Sequence, residues 1–136
     1  MDLSAPGFSS ALDLAAAIRR KDVSPVEVVD AALGRIEQFN PTLNAFSEVL
    51  VDNARDAARQ AEAAVNDGAD LGPLHGVPIG IKNQMNVTGA RVTFGTHLLA
   101  DYVATEDAPV VAGVRRAGAI VVGMTTMPEF GWQGIS

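Results

Sequence analysis

Apolar positions along this chain of 136 residues change their period about halfway. The first half repeats at helical spacing. Ser9 to Arg20 is read as one helix, with Leu14 and Ile18 on a common face. Its basic end, Arg19-Arg20-Lys21, suits a helix carboxyl terminus. Ser24-Pro25-Val26-Glu27 opens a second helix: Ser24 can cap it, Pro25 fits the first helical position, and Glu27 can close a capping box. Val29, Leu33, Ile36 and Phe39 then recur at helical spacing, and Asn40-Pro41 is expected to end the run. A third, alanine-rich helix is expected from Val51 to Asp67, with Ala54, Ala57, Ala58, Ala61 and Val65 on one stripe and Gly68 as its stop.

Past the transition loop Gly68 to Pro73, short β-branched runs and Gly/Pro turns take over. Ile79 and Ile81 alternate with Gly80 and Lys82, so 77–81 reads as a buried strand entered through a tight loop at Gly72-Pro73, Gly76 and Pro78. A glycine-punctuated loop, 83–95, follows it and ends near His97. A helix is expected from Glu106-Asp107, whose acids favour a helix amino terminus, with Val110, Val114 and Ala117 as its buried face and Gly118 as its end. Residues 119–123 form a continuous apolar strand, the pattern of a strand covered on both faces. Strand, helix, strand at this spacing predicts a βαβ crossover and an α/β fold with a parallel or mixed sheet. The chain divides into a helical region, 1–70, and a region of first strands, 71–136.

Composition narrows the function classes. Apolar residues make up 48% and charged residues 19%, which marks a folded globular chain. A net charge of −6 offers no basic patch for nucleic acid or an anionic membrane. No cysteine is present, which excludes disulfides, thiol catalysis and zinc–thiolate sites. The start, MDLSAPGFSS, has no basic region and makes a poor secretory signal. No apolar run approaches the roughly 20 residues of a membrane span, so the expected location is cytoplasmic. His75 and His97 have no carboxylate spaced to join them and read as loop or packing residues rather than metal ligands. A dinucleotide site needs a Gly-rich turn directly after the first strand; Lys82-Asn83-Gln84-Met85 stands there instead.

The candidate for chemistry is Lys82. A lysine at the end of an apolar strand is costly to keep charged, and burial drives it toward the neutral, basic form that a general base requires. The run LHGVPIGIKN, then VTGARVTFGT, resembles the lysine block of the amidase signature family, and EDAPVVAGVRRAGAIVVGMTTMPEF resembles the block that follows it. With RIEQFNPTLNAF and the helices before it, the likeness covers nearly the whole chain. Members of that family hydrolyse carboxylic amides with a Ser–cis-Ser–Lys triad and no metal or organic cofactor. On this match Lys82 is the triad lysine, taking a proton from the bridging serine, which in turn deprotonates the nucleophilic serine. The resemblance also implies a small-molecule amide as substrate and Phe130, Gly131 and Trp132 as walls of the substrate pocket. Read on their own, Phe130 and Trp132 fit a hydrophobic core better than a pocket wall, since large aromatics bury readily.

The resemblance implies further chain as well. Both family serines lie downstream, the first in a Gly/Ser-rich run that is not found between Lys82 and Ser136; Gly134-Ile135-Ser136 is too short to replace it. The expectation is therefore an incomplete amino-terminal part of a single amidase domain, an α/β/α sandwich preceded by peripheral helices. On that expectation the part is inactive alone, Lys82 is only partly enclosed, and the remainder packs on the open edge of the sheet. The alternatives are a transamidase subunit or a non-catalytic or degenerate binding module, and a homodimer stays open. Near the lysine the family often carries Asp-Asn and a further Asp where this chain has Asn83, Gln84 and Asn86, and Gly-Lys-Thr-Asn-Met where it has Gly123-Met124-Thr125-Thr126-Met127. Less negative charge beside an amine favours its neutral form.

Overall fold

The computed structural model describes residues 10–134. Ser9, where the first helix was expected to start, and Ile135-Ser136 lie outside them. Helix α1 spans Ala11–Arg19, with the Ser10 hydroxyl accepting from the Asp13 N–H. Helix α2 spans Pro25–Leu43 and opens with the anticipated capping box: Ser24 Oγ accepts from the Glu27 N–H, and Glu27 Oε2 accepts from the Ser24 N–H at 2.8 Å. Helix α3 spans Val51–Asn66. Its alanine stripe is buried, with Ala54 and Ala58 facing Val29 and Leu33 of α2 and Ile120 and Val122 of the sheet. Small side chains let the helix lie close to both.

Three points differ from the pattern reading. Helix α2 runs through Pro41 to Leu43, because a proline in the last turn removes one N–H but leaves that turn able to close. Asn44 ends it in the left-handed conformation at φ 49°, its N–H donating to the Asn40 carbonyl at 2.7 Å. The Asn40 carboxamide then grips both backbone groups of Phe46, accepting from its N–H at 2.8 Å and donating to its carbonyl at 3.1 Å. That grip starts a strand the periodicity does not announce, β1, Phe46–Val49. Its register slips between Phe46 and Glu48, which breaks the period-two signal.

Helix α4 begins at Pro109, not at Glu106, and runs to Arg116. The Asp107 carboxylate is taken up elsewhere: it accepts from the Thr88 N–H at 2.7 Å and the Thr88 hydroxyl at 2.9 Å, and pairs with Arg115 at 3.0 Å. The inward side chain is Val111, fully buried, with Val114 beside it, while Val110 is 53% exposed. Eight residues with adjacent valines leave the phase of so short a helix ambiguous by one position.

Strand β2 covers Pro78–Lys82 and β3 covers Ile120–Thr125. The sheet order is β1-β3-β2, with β3 parallel to β2 and antiparallel to β1, so the sheet is mixed and the α/β expectation holds. On one face Ile81, Val121 and Met124 pack on Val87, Val92 and Val111. On the other, Ile120 and Val122 meet α2 and α3. Strand β3 is buried on both sides as read; β2 is an edge strand in which Ile81 alone is fully buried. A smaller cluster joins α1 through Ile18 to Val28 and Val65. Among the described residues, no helix is long and apolar enough to cross a membrane.

Gly123 marks the tightest point of the sheet, since a Cβ there would stand 2.5 Å from the Glu48 carbonyl oxygen and 2.9 Å from the Phe46 ring. Overpacking of that kind costs about 1–3 kcal/mol. Gly123→Ala is expected to lower stability by about that amount in urea unfolding followed by circular dichroism.

Candidate active site at the carboxyl ends of the strands

Because β2 and β3 are parallel, Lys82 and Thr125 finish at the same end of the sheet and stand opposite one another in register. Strand β1 runs the other way, so its first residue, Phe46, reaches that end too and pairs with Thr125. Alternation along β2 puts Ile81 in the core and Lys82 on the opposite face, the face of Gly80 and Phe46. The sequence reading expected the lysine side chain to be partly enclosed; in the described residues it is exposed.

Directly after the lysine the backbone is held on every side. Asn83 is 2% exposed, and its N–H donates to the Thr125 carbonyl at 3.0 Å. Its own carbonyl accepts from the Phe94 N–H at 3.1 Å, and Oδ1 accepts from the Thr93 N–H at 2.7 Å. Its Nδ2 donates to Ser47 Oγ at 2.8 Å, and the Ser47 hydroxyl donates to the Met124 carbonyl at 3.2 Å. Ser47 is thus held by backbone and amide groups, and the structure gives its hydroxyl a packing role.

The pocket-wall residues of the sequence reading lie in the loop beyond β3. Phe130 and Trp132 are 60% and 75% exposed, so neither is a core aromatic here. This loop meets the lysine end at several points. The Phe130 N–H donates to the Phe94 carbonyl at 2.8 Å, with the two rings 6.2 Å apart. A Cβ on Gly131 would stand 3.2 Å from Gln84 Oε1, two residues after the lysine.

Phe94 and Phe130 share an uncommon backbone. Both have positive φ, 52° and 48°, and each precedes a glycine at φ 69° or 70°. At Gly95 a Cβ would come within 2.7 Å of the Met127 carbonyl oxygen, so the two loops touch backbone to backbone. Left-handed aromatic residues are strained, and strain of this kind gathers at functional sites. The repeated Phe-Gly dipeptide is a signal that the sequence analysis did not use. Of the residues it named, Lys82, Phe130 and Gly131 are gathered at one end of the sheet, and Trp132 extends beyond them into solvent.

A polar cleft of about 540 Å³ lies at the same end, lined by Ser47, Glu48, Asn83, Arg91, Thr93 and His97 among others; Lys82 does not line it. Arg91 closes one side by pairing with Glu48 at 3.6 Å, and its N–H donates to that carboxylate at 2.8 Å. A larger cleft of about 770 Å³ between α2, β1 and α3 shares only Asn44 with it. Lys82 does not line that cleft either. His75 is fastened to the Ala61 carbonyl at 2.9 Å and packs, as read, rather than facing the site. Among the described residues, no group of three His, Asp or Glu side chains is placed to hold a metal.

A mixed sheet flanked by helices, with a lysine at the end of one strand and glycine-bearing loops around it, defines an α/β domain. The amidase family model matches residues 27–134, and the chain belongs to that family. It is 45% identical over 130 residues to an indoleacetamide hydrolase of Bradyrhizobium diazoefficiens, covering 93% of this chain and 24% of that protein. It is 36% identical over 123 residues to a glutamyl-tRNA(Gln) amidotransferase subunit of Carboxydothermus hydrogenoformans, covering 90% of this chain and 25% of that one. In structure it resembles a bacterial aryl acylamidase of the amidase signature enzymes, with a TM-score of 0.84 at 29% identity, over 93% of this chain and 27% of that one. The chain spans about a quarter of the length of these relatives.

Asp107 ties the loop after the lysine to α4, and its ionisation gives that tie a pH dependence. Burial raises the carboxyl pKa, but the two Thr88 hydrogen bonds and the Arg115 charge outweigh it, and the net shift is downward. A depressed folded-state pKa contributes stability above the unfolded value, lost as pH falls through the folded one. Asp107→Asn is expected to melt at a lower temperature than the parent at pH 7. The gap should narrow below about pH 4, as thermal unfolding across that range would show.

Proposed function

We propose that this chain carries the lysine-bearing part of an amide hydrolase and that Lys82 is its general base. Hydrolysis of an amide needs a nucleophile, a base to activate it, and donors for the developing oxyanion. Lys82 fits the second requirement. The observation that carries the reading is its place: in an amidase-family chain, it closes a strand whose carboxyl end lies beside that of the parallel neighbour, where ligands gather in open α/β sheets.

In the proposed reaction the neutral amine accepts a proton from a bridging serine as that serine deprotonates the nucleophilic one. The nucleophile's oxygen bonds the amide carbon, and the carbonyl electron pair moves to oxygen. Collapse breaks the C–N bond, and the proton held by Lys82 returns by way of the bridging serine to the leaving nitrogen. Water then releases the acid by the same relay. Both serines come from outside this chain in this reading, together with the walls that remove water from the amine. Such enclosure favours the neutral base.

Phe130, Gly131 and Trp132 form one wall of the proposed substrate pocket. Two exposed aromatic side chains beside a strained loop favour an amide with an aryl or bulky acyl group, a class consistent with the indoleacetamide hydrolase among the relatives. A second reading, an ammonia-transferring amidotransferase component, has the support of the glutamyl-tRNA(Gln) amidotransferase relative. Hydrolysis of free amides without partner chains separates the two.

The test is turnover by the product of the complete reading frame, assayed on aryl and aliphatic amides beside its Lys82→Ala form. Loss of the base should lower kcat by roughly 10²–10⁴-fold. Unchanged turnover would remove Lys82 from the mechanism.

A further inference from the structure

We infer that Asn83 is a positioning residue: its carboxamide and backbone fix the point at which the Lys82 side chain leaves the sheet. The inference rests on the proposed role of Lys82 and extends it to the neighbouring residue.

Asn83 makes four hydrogen bonds to three pieces of chain. Its N–H reaches β3 at Thr125, and its carbonyl reaches Phe94. Its side-chain oxygen reaches Thr93, and its side-chain nitrogen reaches Ser47 in β1. With 2% exposure, each of these groups is withheld from water, so losing a partner is costly. The residue after the lysine is therefore tied at all four of its polar groups, in a loop that otherwise lacks regular structure.

The orientation of the carboxamide follows from proton counting. Ser47 has one hydroxyl proton and donates it to the Met124 carbonyl, so its oxygen must accept from position 83. The Thr93 N–H must donate to position 83. A side chain that donates on one side and accepts on the other is a carboxamide. A carboxylate would keep the Thr93 bond but draw the Ser47 proton away from Met124. Asparagine supplies both bonds and leaves the Ser47–Met124 bond in place.

The hold extends to the proposed pocket. Phe94 donates to Asn83 and accepts from Phe130, so the strained Phe94-Gly95 and Phe130-Gly131 turns hang from the same residue. Asn83 thereby sets the base and the aromatic wall in one frame.

The 136 residues hold two lysines, Lys21 and Lys82, whose signals can be followed in the product of the complete reading frame, each assigned by its own Lys→Arg variant. Reductive methylation with ¹³C-formaldehyde gives each amine its own NMR signal, with Lys21 as the internal reference. In Asn83→Ala the fold should persist by circular dichroism, the Lys82 signal should shift or split, and Lys21 should stay in place. Amide exchange at Thr93, Phe94 and Phe130 should quicken by more than 10-fold relative to the β3 amides. In Asn83→Asp the Thr93 protection should return, while the Lys82 signal stays displaced because the donor to Ser47 is lost. A folded Asn83→Ala protein whose Lys82 signal and relative exchange match the parent would overturn the inference, because a role in overall stability alone lowers the melting temperature without moving these readouts. If Asn83→Ala does not fold, Ser47→Ala serves: a displaced Lys82 signal supports the inference and an unmoved one overturns it. Failure of the base assignment appears separately, as turnover that survives Lys82→Ala.

Discussion

Strand β3 is hydrogen-bonded along both edges and covered on both faces, and every other part of the chain takes its position from that double burial. Its side chains feed two apolar clusters, Val121 and Met124 on one side and Ile120 and Val122 on the other. Such a strand cannot slip by one residue without exchanging the two cores. Its register therefore fixes that of β1 and β2, and with them the place of Phe46, Asn83 and Lys82. Gly123 lets β1 approach at the one point where any side chain would collide with the Glu48 carbonyl. The bulge opposite the step from Ile79 to Gly80 then sets the phase in which Lys82 emerges on the helix-bearing face.

What the sequence disclosed follows from which signals are local. The capping box at Ser24, the alanine stripe of α3 and the unbroken apolar run of β3 are each written within a few residues, and each is found as read. The parallel pairing of β2 and β3 follows from the helix between them. Strand β1 was not legible. Four residues with a register slip carry no usable period, and their position is imposed by Asn40 from α2 and by β3. The start of α4 was misread because an acid before a helix has two uses, and the pull of Thr88 and Arg115 on Asp107 is a tertiary fact.

The site divides in the same way. Lys82 stood out through the strand that bears it, and the aromatic loop through its likeness to a family block. What joins them did not. Asn83 looks in the sequence like a loss of charge, while in the fold its carboxamide answers an acceptor in β1 and a donor in the loop that follows β2. Phe94 looks like one more apolar loop residue, yet its carbonyl carries the link to Phe130. Both facts depend on partners distant along the chain, so no local pattern records them.

The exposure of Lys82 has a consequence for how such a base would be built. A chain that enclosed the lysine within its own core would meet the cost of desolvating an amine while folding, with no hydroxyl yet present to hydrogen-bond to it. Here the core is completed without it: Ile81 goes inward, Lys82 goes outward, and Asn83 locks the backbone between sheet and loop. Fixing the backbone first and enclosing the amine later separates two demands that conflict within one small core. Rigidity comes from the neutral hydrogen-bonded neighbour, and dryness from whatever surface is laid over the strand ends. On that division of labour, the identity of the residue after the lysine matters as much to the geometry of the base as the lysine does to its chemistry.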